Sequence, residues 1–239
     1  MRASAAYLLP VAVLAGGLGT RLGDIGRDTP KALMPVAGEP FIHHQLRLLS
    51  RQGARRVVLC VGHLGDRIAE AVGDGARFGL DVDYAFDGPE PAGTAGALRQ
   101  ALPLLGEAFL VTYGDAYLRI DHASVQAAFE AQNRPGLMTV LQNDGAWGES
   151  NAVYDDGLVS AYDKRVPPVG ARWIDYGLLA FASSVFRGSR TPDLSELCSH
   201  LASAGQLAGF AATERFYEIG TPDALLEVDE LLRNAGRRS

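Results

Sequence analysis

The chain has 239 residues, of which 47% are hydrophobic and 21% are charged, and its formal net charge at pH 7 is −6. This length and composition are typical of a globular protein that buries most of its unfolded surface. The negative charge disfavours nucleic acid and anionic membrane surfaces as partners, because both carry negative charge themselves.

The first element is an apolar run from Ala5 to Ala15 that follows Arg2. Such a run resembles a secretory signal peptide, but it contains Pro10 and leads directly into a glycine-rich turn. We therefore interpret Val11–Ala15 as a buried strand of the folded domain. No stretch approaches the roughly 18–20 apolar residues of a membrane-spanning helix, so we expect no membrane partner. The two cysteines favour a cytoplasmic protein.

The first half of the chain alternates helix and strand patterns. Helices are predicted at Phe41–Gln52, Asp66–Val72 and Thr94–Leu105, and further strands at Arg56–Val61, Asp81–Phe86 and Phe109–Thr112. The strand patterns are short apolar or alternating runs, whereas the helix patterns repeat apolar residues at helical spacing. The repeated β-α-β order predicts the α/β class, with a Rossmann-like mixed, mostly parallel sheet flanked by helices.

The second half is less regular. Strands are predicted at Leu137–Leu141, Asn151–Tyr154, Leu158–Tyr162 and Asp175–Phe181, and helices at Leu194–Ala204 and Pro222–Asn234. The sequence Asp155-Asp156-Gly157 is typical of a hairpin turn, and the prolines within Val166–Arg172 predict a loop. We expect a small antiparallel β embellishment here, within a single domain of residues 1–239.

Cysteine and histidine residues give no metal-binding pattern. Cys60 and Cys198 lack CxxC or Cys/His spacing and fit a reducing cytoplasm, with a disulfide between them as the alternative. His43 and His44 are adjacent in a predicted helix, where neighbouring side chains point in different directions. We therefore expect one of them to pack and the other to face solvent.

Three glycines follow the first strand, in the sequence Gly16-Gly17-Leu18-Gly19-Thr20-Arg21. Glycine lets the backbone approach a ligand closely, and consecutive N–H groups in such a turn bind anions. The dinucleotide fingerprint fails because Leu22 stands at its last glycine position, which weakens an oxidoreductase hypothesis. The P-loop fails because the chain has no Gly-Lys pair. We expect an anion-binding turn, with a ligand-free turn as the alternative.

A longer spaced pattern surrounds this turn. Its further motifs are Thr29–Val36, Pro40-Phe41, Gly93–Ala97, Gly114-Asp115, Asp163-Lys164, Asp175–Gly177 and Gly220–Pro222. Together they resemble the signature of the sugar-phosphate nucleotidyltransferase family. Among its subfamilies, the chain is most similar to short heptose-1-phosphate and mannose-1-phosphate guanylyltransferases, followed by N-acetylmuramate-1-phosphate uridylyltransferases. The resemblance implies an enzyme that makes a nucleotide sugar and pyrophosphate from an NTP and a sugar 1-phosphate.

By this resemblance the nucleotide lies against the glycine-rich turn. Its binding residues would be Ala15, Gly16, Gly17, Leu18, Gly19, Thr20, Arg21, Glu90, Gly93 and Thr94. Arg21 and Lys31 would be catalytic. Arg21 would contact the β/γ-phosphates, and Lys31 would lie across the α-phosphate and the incoming phosphate. The reaction brings two anions together, so cations are needed to offset their repulsion. The acceptor phosphate is already an anion at neutral pH, so no general base is expected. The form Gly93-Thr-Ala-Gly96 resembles guanylyltransferases more than thymidylyltransferases, and we expect GTP to be slightly favoured over UTP.

The resemblance also implies a Mg²⁺ cofactor. Asp115 follows a predicted central strand, at the end where ligands bind in open α/β sheets, and matches the family's catalytic metal ligand. The second ligand would be Glu218, where relatives usually carry aspartate. Because the glutamate side chain is longer, three possibilities stay open: Glu218 binds the metal directly, binds it through water, or does not contact it.

On the acceptor side, the resemblance assigns Lys164 to the sugar phosphate. Asp175 stands where relatives often have an asparagine that contacts sugar hydroxyls, and Gly177 permits close approach. Asn151 is a further sugar-phosphate-binding candidate. The two tryptophans, Trp147 and Trp173, fit either a pocket wall or core packing.

These assignments predict that residues 1–135 mainly bind the NTP and residues 136–239 mainly bind the sugar 1-phosphate, either a heptose- or a hexose-1-phosphate. Two alternatives stay open: transfer to another phosphomonoester such as phosphocholine, and a non-catalytic nucleotide-sugar sensor on the same fold. The sequence is compatible with a monomer or a homodimer.

Overall fold

A computed structural model describes residues 8–17, 29–88 and 90–236. Its helices are α1 (Phe41–Arg51), α2 (Gly65–Val72), α3 (Thr94–Leu105), α4 (His122–Ala131), α5 (Ser184–Gly188), α6 (Leu194–Ser203) and α7 (Pro222–Gly236). Short 3₁₀ turns cover Lys31–Leu33 and Ala76–Phe78. None of the helices in these residues combines the length and the apolar character that a membrane span requires.

Within the described residues, a nine-stranded sheet forms the centre of the fold. Its strands are β1 (Val11–Leu14), β4 (Arg56–Val61), β5 (Asp81–Phe86), β6 (Ala108–Tyr113), β8 (Gly136–Gln142), β9 (Ala152–Asp155), β10 (Leu158–Tyr162), β11 (Trp173–Ala182) and β12 (Leu207–Ala212). Two small ribbons pair β2 (Pro35–Val36) with β3 (Glu39–Pro40) and β7 (Ala116–Tyr117) with β13 (Tyr217–Glu218).

The strand order is β5-β4-β1-β6-β11-β8-β12-β10-β9. Strands β5, β4, β1 and β6 pair in parallel, as predicted, and so do β8 and β12. Strand β11 lies between β6 and β8 and runs against both, and the β9–β10 hairpin is antiparallel. The sheet is therefore mixed, as predicted, but among the described strands its five antiparallel pairs outnumber its four parallel pairs, which corrects the expectation that most pairs are parallel.

Helices cover both faces of the sheet. Helices α1, α2 and α4 pack on one face against residues such as Val11 and Val13, and α3, α5 and α6 pack on the other against Ala12 and Val58. The alternation follows from the strand geometry, since successive side chains point to opposite faces. Burial of both faces explains why the central strands read as continuous apolar runs.

A third apolar cluster holds the C-terminal helix. Val228 of α7 packs with Phe41 and Leu48 of α1 and with Ile219, which follows β13. Helix α1 thus contacts the sheet with one side and α7 with the other. This packing fixes the β7–β13 ribbon beside the end of β6.

Most predicted elements are confirmed. Among the elements that the patterns did not reveal, α4 and β12 have physical explanations. Helix α4 has a weak apolar pattern, and its first turn is capped by Asp121, whose side chain accepts the Ala123 N–H. Strand β12 consists mainly of small residues, and Gly209 lies directly beneath the Tyr154 ring. Its pairing with β8, rather than its own propensity, determines this strand.

The favoured expectation for the cysteines is confirmed, and the expectation for the histidine pair is wrong. Cys60 and Cys198 are both free and buried, so the disulfide alternative is excluded; burial raises the pKa of the Cys60 thiol to about 12. His44 does not face solvent, because its Nε2 atom lies 2.8 Å from the Val36 carbonyl oxygen. His43 is also packed, with its Nε2 atom 3.1 Å from the Ala71 carbonyl oxygen.

The topology gathers polar residues at one edge of the sheet. The parallel strands β1, β4, β5 and β6 all end there, and β8 and β12 end there too. Antiparallel β11 begins there, so Asp175 lies at the same edge as Asp115. Ligands of open α/β sheets bind at this edge.

Candidate active site

Two cavities open at this edge. The first has a volume of about 270 Å³ and lies between the ends of β1, β4 and β6 and the beginning of α3. Its lining includes Leu14, Ala15, Gly16, Gly17, Lys31, Cys60, Asp87, Gly93, Thr94, Tyr113, Gly114 and Asp115. The second has a volume of about 320 Å³, and its lining includes Tyr113, Asp115, Trp147, Asn151, Lys164, Asp175, Tyr176, Gly177, Phe216 and Glu218. Tyr113 and Asp115 line both, so two ligands would meet at Asp115.

A cation and a carboxylate face each other where the cavities meet. The Lys31 Nζ atom lies 2.9 Å from the Asp115 Oδ2 atom. Lys31 begins the 3₁₀ turn that follows Pro30, and Asp115 follows β6. Both side chains are only partly exposed, so each charge acts in an environment less polar than bulk water. The pair can accept an anion at Lys31 and a metal ion at Asp115.

A buried glutamine holds the backbone on both sides of Asp115. The Gln45 Nε2 group donates to the carbonyl oxygens of Tyr113 at 2.7 Å and Ala116 at 2.8 Å. Gln45 belongs to α1 and is 2% exposed. It therefore fixes the position from which the Asp115 side chain projects.

The second cavity contains an ion pair in which the carboxylate is buried and the lysine is partly exposed. The Lys164 Nζ atom lies 2.8 Å from the Asp175 Oδ2 atom, and the Asp175 side chain is 2% exposed. Burial disfavours the charge on Lys164, but Asp175 and the tyrosines Tyr113 and Tyr162 outweigh it and hold the pKa of Lys164 well above its ordinary value. Lys164 is therefore cationic throughout the physiological pH range.

Asp175 is held in position by three further hydrogen bonds. Its carboxylate accepts the Tyr162 hydroxyl at 3.2 Å and the Gly177 N–H at 3.0 Å, and its own N–H donates to Asn151 Oδ1 at 2.9 Å. Gly177 has a φ of +100°, at a point where the β11–β8 register shifts. Such a bulge favours glycine, which gives Gly177 a structural reason besides ligand access.

Glu218 lies beside Asp115. It pairs with Ala116 in the β7–β13 ribbon, and the N–H of the next residue, Ile219, donates to the Asp115 carbonyl oxygen at 3.0 Å. Both carboxylates line the second cavity. Mg²⁺ in phosphate-binding sites takes one or two carboxylates and completes its shell with phosphate oxygens and water, so this donor set fits Mg²⁺.

Comparison with known proteins identifies the family. The profile of the MobA-like NTP transferase domain matches residues 11–185. The chain belongs to this family. The predicted relationship to sugar-phosphate nucleotidyltransferases is confirmed.

Individual relatives of this MobA-like domain differ in substrate. The chain is 43% identical over 122 residues to the N-acetylmuramate alpha-1-phosphate uridylyltransferase of Neisseria meningitidis, covering 49% of this chain and 50% of that protein. It is 35% identical over 155 residues to the D-glycero-alpha-D-manno-heptose 1-phosphate guanylyltransferase of Campylobacter jejuni, covering 64% and 67%. The chain thus spans about half the length of the Neisseria relative.

A solved structure supports the fold. The crystal structure of HddC from Yersinia pseudotuberculosis superposes with a TM-score of 0.80 at 24% sequence identity, covering 94% of this chain and 100% of that one. The α/β fold, with a central mixed sheet between helices, is therefore confirmed for this MobA-like domain.

Only some of the residues predicted to bind the nucleotide line the first cavity. Ala15, Gly16 and Gly17 line the first cavity, whereas Leu18, Gly19, Thr20 and Arg21 lie outside the described residues. Glu90 is exposed and does not line that cavity.

Gly93 and Thr94 line the first cavity but also contact protein. A Cβ atom on Gly93 would lie 2.6 Å from the Pro192 carbonyl oxygen, and Thr94 Oγ1 accepts the Leu194 N–H at 2.8 Å. The motif predicts that a ligand approaches the backbone closely at these residues. In the structure, part of this space is taken by the segment around Pro192, which packs against the beginning of α3.

Sequence reasoning missed Gln45, Asp87 and Tyr113. Asp87 follows β5 directly and lines the first cavity, so the rule that singled out Asp115 at the end of its strand could also have found it. The sequence did not indicate a role for Gln45, since a polar residue is expected on the exposed face of an amphipathic helix. Of the two tryptophans, Trp147 lines the second cavity, while Trp173 packs edge-on against Tyr154 with 4.8 Å between ring centroids.

We predict that Gln45→Leu destabilises the loop that carries Asp115. The substitution removes the amide shared by the Tyr113 and Ala116 carbonyl oxygens, so the free energy of unfolding should fall by about 1–3 kcal/mol. Urea denaturation measures this loss, and amide hydrogen exchange should accelerate at residues 113–117. Gln100→Leu, at an exposed position of α3, is the control; equal effects of both substitutions would contradict the role assigned to Gln45.

Proposed function

We propose that this protein transfers a nucleotidyl group from an NTP to a sugar 1-phosphate. The observation that carries the proposal is the meeting of two cavities at Asp115, which lies 2.9 Å from Lys31 of the first cavity. The first cavity, in the 1–135 half, would hold the NTP. The second, lined mainly by residues of the 136–239 half, would hold the acceptor, with Lys164 at its phosphate and Asp175 and Asn151 shaping its sugar site.

The reaction needs charge neutralisation more than proton transfer. An oxygen of the acceptor phosphate attacks the α-phosphorus, the bond from that phosphorus to the bridging oxygen breaks, and pyrophosphate leaves. The nucleophile is ionised at neutral pH because the second pKa of a phosphate monoester is about 6. Lys31 lies where both phosphates would meet and offsets their repulsion. Arg21 is proposed to bind the β/γ-phosphates.

Asp115 and Glu218 would hold Mg²⁺. The ion, when bound, neutralises charge on the phosphates and on the departing pyrophosphate. Asp115 would otherwise repel an anionic substrate. Its pairing with Lys31 keeps that carboxylate compensated before substrate binds.

Asp87 supports a preference for GTP. Its Oδ2 atom accepts the Ala92 N–H at 3.3 Å, and the side chain lines the first cavity. A carboxylate only accepts hydrogen bonds, and guanine offers two neighbouring donor groups on one edge, whereas uracil offers one. We propose that Asp87 reads the base in this way.

The acceptor cavity supports a neutral sugar and, as a second candidate, an acceptor with an ammonium group such as phosphocholine. The second candidate is favoured by aromatic rings near carboxylates, including Tyr113 and Trp147 beside Asp175 and Glu218. However, Lys164 lies 5.0 Å from the centroid of the Tyr113 ring and Arg215 lies 4.0 Å from that of Trp147. Because Lys164 already covers the Tyr113 ring, that ring cannot form part of a cage for an ammonium group, and we favour a heptose- or hexose-1-phosphate.

One assay tests the activity. The protein is incubated with Mg²⁺, each NTP in turn, and a panel of heptose-, hexose- and N-acetylmuramate 1-phosphates with phosphocholine, and pyrophosphate release is measured. We expect release with a sugar 1-phosphate and GTP. If pyrophosphate is released only with phosphocholine, the acceptor is the second candidate and not a sugar 1-phosphate. If no acceptor gives pyrophosphate release while control enzymes are active, a nucleotide-sugar sensor is favoured.

Asp87→Asn should change the choice of NTP. The amide presents a donor as well as an acceptor, so the preference for GTP over UTP should fall about tenfold, within the roughly 1–3 kcal/mol that a two-bond base contact provides. The values of kcat/KM for the four NTPs measure this change. Asp83→Asn, on the same strand but paired with Arg56 at the surface, is the control. An unchanged NTP ranking in Asp87→Asn would remove Asp87 from base recognition.

A further inference from the structure

The wall of the second cavity includes a tryptophan on a well-braced loop. Trp147 lies between β8 and β9 and is 41% exposed, yet it lines the cavity together with Asp175 and Glu218. Large exposed aromatic rings at a cavity wall often contact a ligand, since their burial is favourable once water is displaced. The other observations concern what holds this ring.

The loop is braced from within by Asn143, which is buried. Its Oδ1 atom accepts the Trp147 N–H at 2.8 Å, and its Nδ2 group donates to the Gly148 carbonyl oxygen at 2.8 Å and to Ser150 Oγ at 3.0 Å. One side chain therefore fixes both ends and the middle of the loop. The Trp147 backbone is held in one position before a ligand arrives.

The ring is supported by a stacked arginine. The Arg215 guanidinium lies 4.0 Å from the centroid of the Trp147 ring and 4.5 Å from that of Tyr217. The same guanidinium forms two hydrogen bonds with Glu227 of α7, at 2.6 and 3.0 Å. Arg215 does not itself line the cavity within the described residues, so it supports the ring from behind.

We infer that Trp147 is a specificity-determining residue for the acceptor, with Arg215 as its positioning residue. The ring offers a flat apolar surface to the C–H face of a pyranose, in the same cavity as Lys164, which would bind the acceptor phosphate. This arrangement selects ring-containing acceptors over small phosphomonoesters. Tyr217 precedes Glu218 on β13, so the stack also joins the acceptor wall to the strand that carries the proposed metal ligand. The inference rests on the proposed function.

The kinetic test separates acceptor binding from nucleotide binding. Trp147→Ala should raise the KM for the preferred sugar 1-phosphate about tenfold, with little change in the KM for the NTP, and Trp147→Phe should restore most of the loss. Arg215→Gln should raise the same KM about threefold. Arg187→Gln, which removes an exposed ion pair with Glu107, is the control and should change neither constant. An unchanged acceptor KM in Trp147→Ala would overturn the inference.

A fluorescence test does not depend on turnover. The chain has two tryptophans, so Trp173→Phe leaves Trp147 as the single reporter. Glucose 1-phosphate or mannose 1-phosphate with Mg²⁺ and no NTP should change its emission, whereas inorganic phosphate should not. No change with a sugar phosphate that calorimetry shows to be bound would overturn the inference.

The two tests distinguish the possible failures. If the wild-type protein releases no pyrophosphate but the Trp147 emission responds to a sugar phosphate, the proposed activity is wrong and the inferred role of Trp147 in acceptor binding is supported. If pyrophosphate is released, but the acceptor KM is unchanged in Trp147→Ala and the Trp147 emission does not respond to a sugar phosphate, the activity is supported and the inferred role of Trp147 is wrong. Neither release nor response would reject both.

Discussion

Asp115→Asn is expected to reduce the rate of pyrophosphate release by about two to three orders of magnitude. Asparagine preserves the shape of the side chain but removes the charge that would hold Mg²⁺ at the junction of the two cavities. It also leaves Lys31 without the carboxylate that lies 2.9 Å away. Steady-state rates across a series of Mg²⁺ concentrations measure the effect, and the concentration that gives half-maximal rate should rise.

The control for this substitution is Asp81→Asn, at an exposed position of β5, which removes the same charge from the chain without touching the cavities. A fold that is intact in both variants, checked by urea denaturation, makes the comparison valid. Wild-type rates and an unchanged Mg²⁺ requirement in Asp115→Asn would show that Asp115 is not the metal ligand. The same series with Glu218→Asp and Glu218→Ala tests the second carboxylate, whose loss should raise the required Mg²⁺ concentration.

Lys164→Met is expected to lower kcat/KM for the sugar 1-phosphate by roughly 10- to 100-fold, with most of the change in the acceptor KM. A charge-assisted hydrogen bond to a phosphate contributes about 1.5–3 kcal/mol, and methionine retains the aliphatic length of the side chain without the charge. The substitution also leaves the Asp175 carboxylate buried without its cation, so the protein should lose stability as well. Kinetics with each substrate varied in turn separate the acceptor from the NTP.

The neighbouring cation provides a matched control. Arg165 is exposed and pairs with Asp193 at the surface, so Arg165→Met should leave both KM values close to those of the wild-type protein. The double variant Lys164→Met with Asp175→Asn should recover part of the lost stability, because it removes the unpaired buried charge, but not the acceptor binding. Recovery of acceptor binding in the double variant would contradict a direct contact between Lys164 and the phosphate.

The sequence predicted the elements of the fold more closely than their arrangement. Strands Arg56–Val61, Asp81–Phe86 and Leu158–Tyr162 and helix Thr94–Leu105 have the predicted bounds, because their apolar spacing and flanking glycines act within a few residues. The direction of β11 was not predicted. A strand pattern does not encode the neighbour with which it pairs, and β11 pairs with β6 and β8 from distant parts of the chain.

The same division applies to the candidate site. Residues within a spaced motif or directly after a strand, such as Lys31, Asp115 and Lys164, were found from the sequence. Gln45 was not found, because its two hydrogen bonds reach residues 68 and 71 positions away. The Trp147–Arg215 stack was also not found, since its two halves follow different strands and meet only because β8 and β12 end at the same edge.

The sequence by itself therefore determined the family and the α/β class and predicted the polar residues of the candidate site, because these depend on motif spacing and local periodicity. Only the tertiary structure decided how those residues are paired: Lys31 with Asp115, Lys164 with Asp175, and Trp147 with Arg215. Ion pairs and ring contacts act over a few ångströms of space, and the order of strands in the sheet, which brings distant residues together, is not written in any one segment of the chain.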